Sequence, residues 1–295
     1  MRSIAFSPGH ITGFVQFPDA QKDPLLNGSL GAGFCICKGV RTIVNIENAS
    51  SSSCSILING KLVNDAQVSR YVVDELLSLV NDNYKIIVEH QSEIPSGYGL
   101  GSSGAAALSL AFALNQALGT PLNQIEAAQV AHKADLACRC GAGTVLAEFH
   151  GGFEMRLVAG APGIGVLEKI PLNDKKVVLF CLAPIPTKDF LTNRIQLFNG
   201  IGGKMLAKLS KTRSVDDFMS MSLQFARSIG CMNYKCKVII EDLLANGYSC
   251  STAMFGETIF SIVKNDDVED VKKILMKYNG TMLISDIENH GAKIC

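Results

Sequence analysis

Residues 95 to 107 read Pro-Ser-Gly-Tyr-Gly-Leu-Gly-Ser-Ser-Gly-Ala-Ala-Ala, a run whose composition suits the binding of an anion. Glycines 97, 99, 101 and 104 can take backbone angles that side chains forbid, so several N–H groups can converge on one phosphate. The apolar helix that follows adds unpaired N–H donors and the positive end of its dipole. Ser102 and Ser103 can cap that helix, donate to phosphate oxygens, or hold Mg²⁺ through a hydroxyl. A Walker A loop needs GxxxxGK[ST] and none occurs, so phosphate is cradled here by another design. An isolated GxGxxG is more often a glycine-rich cap without a ligand. Here Pro95, three alternating glycines, Leu100, the serine pair and Gly104-Ala105 occur together between a strand and a helix. The expected nucleotide-binding segment is therefore Pro95, Gly97, Gly99, Leu100, Gly101, Ser102, Ser103, Gly104 and Ala105.

Three further side chains carry chemistry. His132 and Asp135 are three apart on one helix and share a face. The Asp135 carboxylate can hold a cation, or it can pair with Arg139 one turn on. Arg156 follows Gly151-Gly152 on a mostly apolar strand, where it can grip a carboxylate through two parallel hydrogen bonds or lie at a sheet edge. Transfer of a phosphoryl group needs charge neutralisation and positioning above all, and these are residue types that supply both.

The elements that must position them are legible from patterning. Ile4–Phe6, Phe34–Glu47, Ser53–Ile58 and Lys61–Val63 read as strands, with Asn59-Gly60 as a hairpin turn. The Gly- and Pro-rich stretch from Ser7 to Gly33 reads as a loop. Asp65 is the expected cap of a helix to about Val80, with Val68, Val72, Leu76 and Leu79 on one stripe. Lys85–Glu89 is a strand that enters the phosphate loop. Gly104 to Leu118 is a buried helix stopped by Gly119, and Asn123 with Glu126 forms a capping box for a helix to about Arg139. A turn at Cys140–Gly143 leads to Thr144–Glu148 and then to a short strand ending at Val158. Beyond lie a strand at Val177–Leu182, helices near Lys188–Phe198, Val215–Ser228 and Val238–Asn246, and a loop and strand over Ser249–Val263. An acidic-capped helix over Asp266–Tyr278 and a strand at Met282–Ile287 close the chain.

At 295 residues, two domains are the natural division, placed near Asn173 where the chain turns polar. A hydrophobic fraction of 47% against 18% charged describes a well-buried globular protein. Lys plus Arg equals Asp plus Glu at 27 each, which argues against a dedicated nucleic-acid binder. The ten cysteines form no CxxC pair, and Cys35/Cys37 and Cys138/Cys140 lack the companions that a zinc site needs. With no secretory leader and no apolar run of about 18 residues, the expectation is a cytoplasmic protein with reduced thiols and no membrane span.

Pro95-x-x-x-Gly99-Leu100-Gly101-Ser102-Ser103-x-Ala105 resembles the second motif of the GHMP kinases, the class of galactokinase, homoserine kinase and mevalonate kinase. The resemblance narrows to the archaeal pantoate kinases through Ser7-Pro8-Gly9-His10-Ile11-Thr12-Gly13-Phe14, Asp23-Pro24-Leu25 and Gly28-Ser29-x-Gly31-Ala32-Gly33. Ala131-His132-x-Ala134, Gly141-x-Gly143, Gly151-Gly152 and Met254-Phe255-Gly256-Glu257-Thr258-x-Phe260 extend it. It implies a two-domain α+β GHMP kinase fold. Residues 1–172 form a nucleotide-binding domain like ribosomal protein S5 domain 2, with a left-handed crossover, and residues 173–295 are ferredoxin-like. The implied activity is transfer of the γ-phosphoryl group of ATP to the 4-hydroxyl of pantoate, a step toward coenzyme A.

On that resemblance Ser103 and Asp135 hold Mg²⁺, Ser29, His132, Arg156 and Thr187 bind pantoate, and Asp135, Thr144 and Ser103 form the catalytic set. Thr187 reads equally as the cap of the helix at Lys188. Two positions depart from the family pattern. Leu30 stands where a basic residue is common. Thr144 stands where many members carry an acid, and a threonine hydroxyl can orient an alcohol but cannot deprotonate it near neutral pH. Either another residue supplies the base or the loose transition state dispenses with one. A kinase for another hydroxy acid or alcohol, of homoserine or mevalonate type, is the nearest alternative. A nucleotide-binding regulator without turnover is a second. A small-molecule substrate, no nucleic-acid or membrane partner, and compatibility with a homodimer complete the expectation.

Overall fold

The computed structural model describes residues 1–141, 143–172, 174–185 and 195–295. The first part is one mixed sheet backed by helices. In chain order it comprises β1 (Arg2–Gln16), β2 (Leu30–Asn48), β3 (Ser53–Ile58), β4 (Lys61–Leu62), α1 (Gln67–Leu77), β5 (Tyr84–Ser92), α2 (Ser102–Leu118), α3 (Gln124–Ala137), α4 (Thr144–His150), β6 (Phe153–Val158) and β7 (Val166–Ile170). The long β2 organises it, pairing antiparallel with β1 along its length, with β5 through one half and with β6 through the other. β3 lies parallel to β5, with α1 in the connection between them.

The second part has β8 (Lys175–Ala183), α5 (Ile195–Thr212), α6 (Val215–Ser228), α7 (Tyr234–Ala245), β9 (Ser251–Thr252), β10 (Glu257–Lys264), α8 (Val268–Leu275) and β11 (Thr281–Ser285), its sheet ordered β11-β8-β10-β9. β12 (Lys293–Ile294) then returns to pair with β1. The chain therefore changes sheets between Ile170 and Lys175. Asn173 itself lies outside the described residues.

The α+β GHMP architecture is as expected, with several local corrections. Ser7 to Gln16 is strand rather than loop, and β2 already begins at Leu30. Pro8 sits beside a bulge, where its missing N–H breaks no regular ladder, and it faces Gly39. A side chain at Gly39 would lie 2.8 Å from the Pro8 backbone, so the glycine here serves close approach and not a turn. Asp65 is not the helix cap. α1 starts after Ala66 with no side-chain cap and stops at Leu77, leaving Leu79 45% exposed.

α5 continues past Phe198 through Gly200, Gly202 and Gly203 because Gly202 packs directly on the Val15 carbonyl of β1. α7 begins at Tyr234, four residues before the expected start, because the Asn233 side chain caps it. α8 starts at Val268, behind a 3₁₀ turn, with no carboxylate cap and an earlier end at Leu275. By contrast α2, the Gly119 stop at φ 64° and the Asn123–Glu126 capping box are as read.

Two apolar clusters fill the molecule. One holds α2 and α3 against the first sheet. The other is shared: Phe14, Phe34 and Phe153 of the first sheet meet Phe218 of α6, and Phe34 also meets Phe260 of β10.

Candidate active site

The phosphate loop lies between β5 and α2. Gly97, Gly99 and Gly101 all have left-handed backbones, at φ 82°, 73° and 71°, which side chains would strain. The first N–H groups of α2 have no intrahelical acceptor and face the loop, as an anion site requires. Bonds from three directions hold the loop: His10 N–H donates to the Leu100 carbonyl at 3.0 Å, Ile185 N–H to Gly97 at 2.8 Å and Thr258 Oγ1 to Tyr98 at 2.8 Å.

Asp135 lies beneath the loop, 2% exposed, and accepts a hydrogen bond from Ser103 Oγ at 3.0 Å. Burial raises its pKa to about 6, against the smaller opposing effect of the Ser103 bond. Among the described residues no ion pair joins it to Arg139. A side chain at Gly141 would contact the Asp135 carboxylate and lie 2.8 Å from Thr144 Oγ1, so the acid and the hydroxyl converge on one point. Glu148, one turn along α4 from Thr144, is wholly buried with both carboxylate oxygens unpartnered. One of them is 2.6 Å from where a side chain on Gly104 would begin. Burial, reinforced by Asp135, raises its pKa well above the usual range.

A buried cation lines the same cavity. Arg156, 1% exposed, donates through Nη1 to Glu154 Oε1 at 2.5 Å, and His10 Nε2 donates to that oxygen at 2.7 Å. Burial lowers the His10 pKa, opposed by Glu154, and its Nδ1 faces Thr12 Oγ1 at 3.4 Å. The cavity is lined by His10, Thr12, Ser29 and Arg156, by Gly97 and Gly99 to Ser103 with Gly141 and Thr144, and by the apolar Val15, Phe17, Met254 and Phe255.

Of the residues expected from sequence, Ser29, Arg156, Thr144, Ser103 and the loop residues Gly97 to Ser102 thus meet in one cavity, with Asp135 directly behind it. His132 is buried off the cavity, its Nε2 donating to the Asn27 carbonyl at 3.0 Å. Pro95, Gly104 and Ala105 support the loop from its ends. Thr187 lies outside the described residues. Glu148, Glu154 and Thr12 were not singled out from sequence as site residues, whereas His10 was expected beside Ser29, His132 and Arg156 in the substrate pocket. The one available signal was a carboxyl on an otherwise apolar segment, in Thr144–Glu148 and in Phe153–Val158.

A glycine cradle at a helix start, a hydroxyl bonded to a buried carboxylate, and a buried guanidinium in the same cavity suit transfer of a phosphoryl group to an anionic acceptor. The family pattern described as the GHMP kinases N terminal domain matches residues 66–152, and with the two-sheet fold it defines the class. A pantoate kinase of Methanocaldococcus jannaschii is 35% identical over 272 residues, covering 92% of this chain and 96% of that protein. One of Thermococcus kodakarensis is 31% identical over 299 residues, covering 98% and 97%. A solved structure described as a phosphotransferase related to the CoA biosynthesis pathway superposes with a TM-score of 0.93 at 29% identity, covering 100% of this chain and 99% of that one. The chain belongs to the pantoate kinase family.

Proposed function

We propose that this protein is an ATP-dependent kinase that moves the γ-phosphoryl group of ATP to the 4-hydroxyl of pantoate, giving 4-phosphopantoate and ADP. The observation that carries this reading is the single cavity that joins the glycine cradle to the Arg156 guanidinium. The triphosphate rests on the backbone N–H groups of the loop and of the first turn of α2. Ser103 and Asp135, a hydroxyl and a carboxylate already 3.0 Å apart, fit Mg²⁺, which when bound neutralises phosphate charge. Arg156 takes the carboxylate of pantoate, held in place by Glu154, while Ser29 and Thr12 offer hydroxyls to the acceptor. Thr144 orients the 4-hydroxyl. In a loose transition state that proton leaves late, to a phosphoryl oxygen, so no strong base is required at Thr144.

The test is ADP release in the presence of ATP, Mg²⁺ and pantoate. Turnover with pantoate is expected, and its absence with a folded protein overturns the assignment. Asp135→Asn keeps size but removes the charge that binds the cation. It should lower turnover strongly and raise the magnesium requirement, whereas wild-type behaviour would reduce Asp135 to a structural acid.

A further inference from the structure

Val15, Phe17, Met254 and Phe255 form the apolar part of the cavity wall, and the placement of Val15 follows from strand register. Val15 of β1, Gly31 of β2 and Arg156 of β6 stand in one cross-strand row, with Thr12, Gly33 and Glu154 in another. Strict alternation from Thr12 would bring Phe14 to that face. The bulge between Thr12 and Phe14 shifts the register by one and brings Val15 there instead. Gly31, between Val15 and Arg156, has no room for a side chain, because one there would run into the Phe14 carbonyl of β1. Two strand spacings, about 10 Å, separate its ends. On the function proposed above, an acceptor whose carboxylate meets the guanidinium runs its chain along this row toward Val15.

Met254 and Phe255 close the wall from the second part of the molecule. Phe255 has φ 63°, a left-handed backbone that a bulky aromatic residue rarely takes, and such strain persists where the surroundings fix it. They do so here. Met254 N–H reaches the Thr12 carbonyl at 3.4 Å, and a side chain at Gly256 would lie 2.5 Å from the Gly99 nitrogen of the phosphate loop. The aromatic ring is thereby held beside the cavity between the β1 strand and the phosphate cradle. Val15 and Met254 are buried, while Phe17 and Phe255 are half-buried and offer apolar surface to the cavity.

We infer that Val15, Phe17, Met254 and Phe255 select an acceptor whose carbon next to the phosphorylated hydroxymethyl is quaternary and carries two methyl groups. This rests on the function proposed above and names what in the site distinguishes pantoate from unbranched hydroxy acids. Branched carbon against this wall removes apolar surface from water, whereas an unbranched chain leaves the wall wet.

The experiment compares kcat/KM for pantoate and for 2,4-dihydroxybutanoate, which keeps the carboxylate and both hydroxyls but lacks the methyls. Wild type should prefer pantoate by about a hundredfold, the scale of one or two buried methyl groups in an enzyme pocket. Val15→Ala and Phe255→Ala should each narrow that ratio by about tenfold, through loss with pantoate. KM for ATP should stay put, as should the preference for pantoate over pantoyl amide, which lacks the carboxylate and reads Arg156. Equal turnover of both acids by wild type overturns the inference and leaves the kinase assignment standing. Turnover of neither acid overturns the assignment itself. If Phe255→Ala does not fold, Phe255→Leu with Val15→Ala decides, and variants that keep the full ratio overturn the wall.

Discussion

A guanidinium that is 1% exposed needs a carboxylate, and Arg156 already has one in Glu154. Its charge is therefore already balanced, and on the proposed function an incoming carboxylate must share the fork. That makes geometry more important than charge. Lysine at position 156 keeps the charge but presents a point donor in place of two parallel ones. Arg156→Lys should cost one charge-assisted hydrogen bond, about 1.5–3 kcal/mol or roughly ten- to a hundredfold in kcat/KM for pantoate. ATP affinity, supplied by a separate loop, should barely change. Steady-state kinetics with pantoate and pantoyl amide checks this. Wild type should prefer the acid strongly and Arg156→Ala should lose most of that preference. An alanine variant as discriminating as wild type would mean that another cation holds the carboxylate.

At the scale of elements, the proposed phosphate cradle depends on the three left-handed glycines that precede α2. Gly101→Val would strain φ 71° and drive its Cβ against the buried Glu148 carboxylate and to 3.0 Å from His10 N. Loss of ATP binding together with a lowered Tm is expected, read by calorimetry and a nucleotide-binding titration. Gly119→Ala, at φ 64° with open space around it, should cost about 1 kcal/mol from the left-handed backbone alone and leave nucleotide affinity intact. The loop and both its flanking elements were legible because their signal is local. The same is true of the Asn123–Glu126 cap. The strand residues at both ends of the Ser7–Gly33 stretch, Ser7 to Gln16 and Leu30 to Gly33, were not legible, since glycine and proline there serve bulges and close strand packing, which no local pattern separates from a turn. The His10–Glu154 pair was hidden for a related reason: its partners are 144 residues apart.

Another such long-range network fixes a pH response. His90 of β5 bonds Thr42 Oγ1 of β2 at 2.8 Å and Ser69 Oγ of α1 at 3.0 Å, and burial lowers its pKa to about 4. The unfolded chain, with histidine near 6.5, then binds the proton first, so stability falls as pH drops from 6.5 to 4. The loss amounts to about 3 kcal/mol. His90→Gln should lack that component. Denaturant titrations of both proteins at pH 7, 5.5 and 4 test it, and parallel curves would refute it.

At the scale of the whole molecule, the two sheets are not two independent cores. Phe14, Phe34 and Phe153 of the first sheet are wholly buried, and the ring of Phe218 from α6 packs against all three, 4.8 Å from Phe153. Gly13 of β1 is equally dependent on that helix, since a side chain there would run 2.5 Å from the Phe218 ring. The phosphate loop, too, takes bonds from Ile185 and Thr258, both beyond the change of sheets. A site assembled across this junction keeps its geometry only while both sheets are folded. Cutting the chain at residue 172 would expose three phenylalanines and remove β12 from the edge of β1. Each buried aromatic ring is worth about 3–5 kcal/mol when lost, comparable to the whole stability of many domains. The fragment 1–172 should therefore fail to fold cooperatively, although it contains the entire glycine loop, Ser103 and Asp135. Circular dichroism and backbone amide NMR of the fragment check this. Full-length protein should unfold in one transition, whereas a dispersed spectrum and a sharp melt for the fragment would show that the first sheet carries its own core.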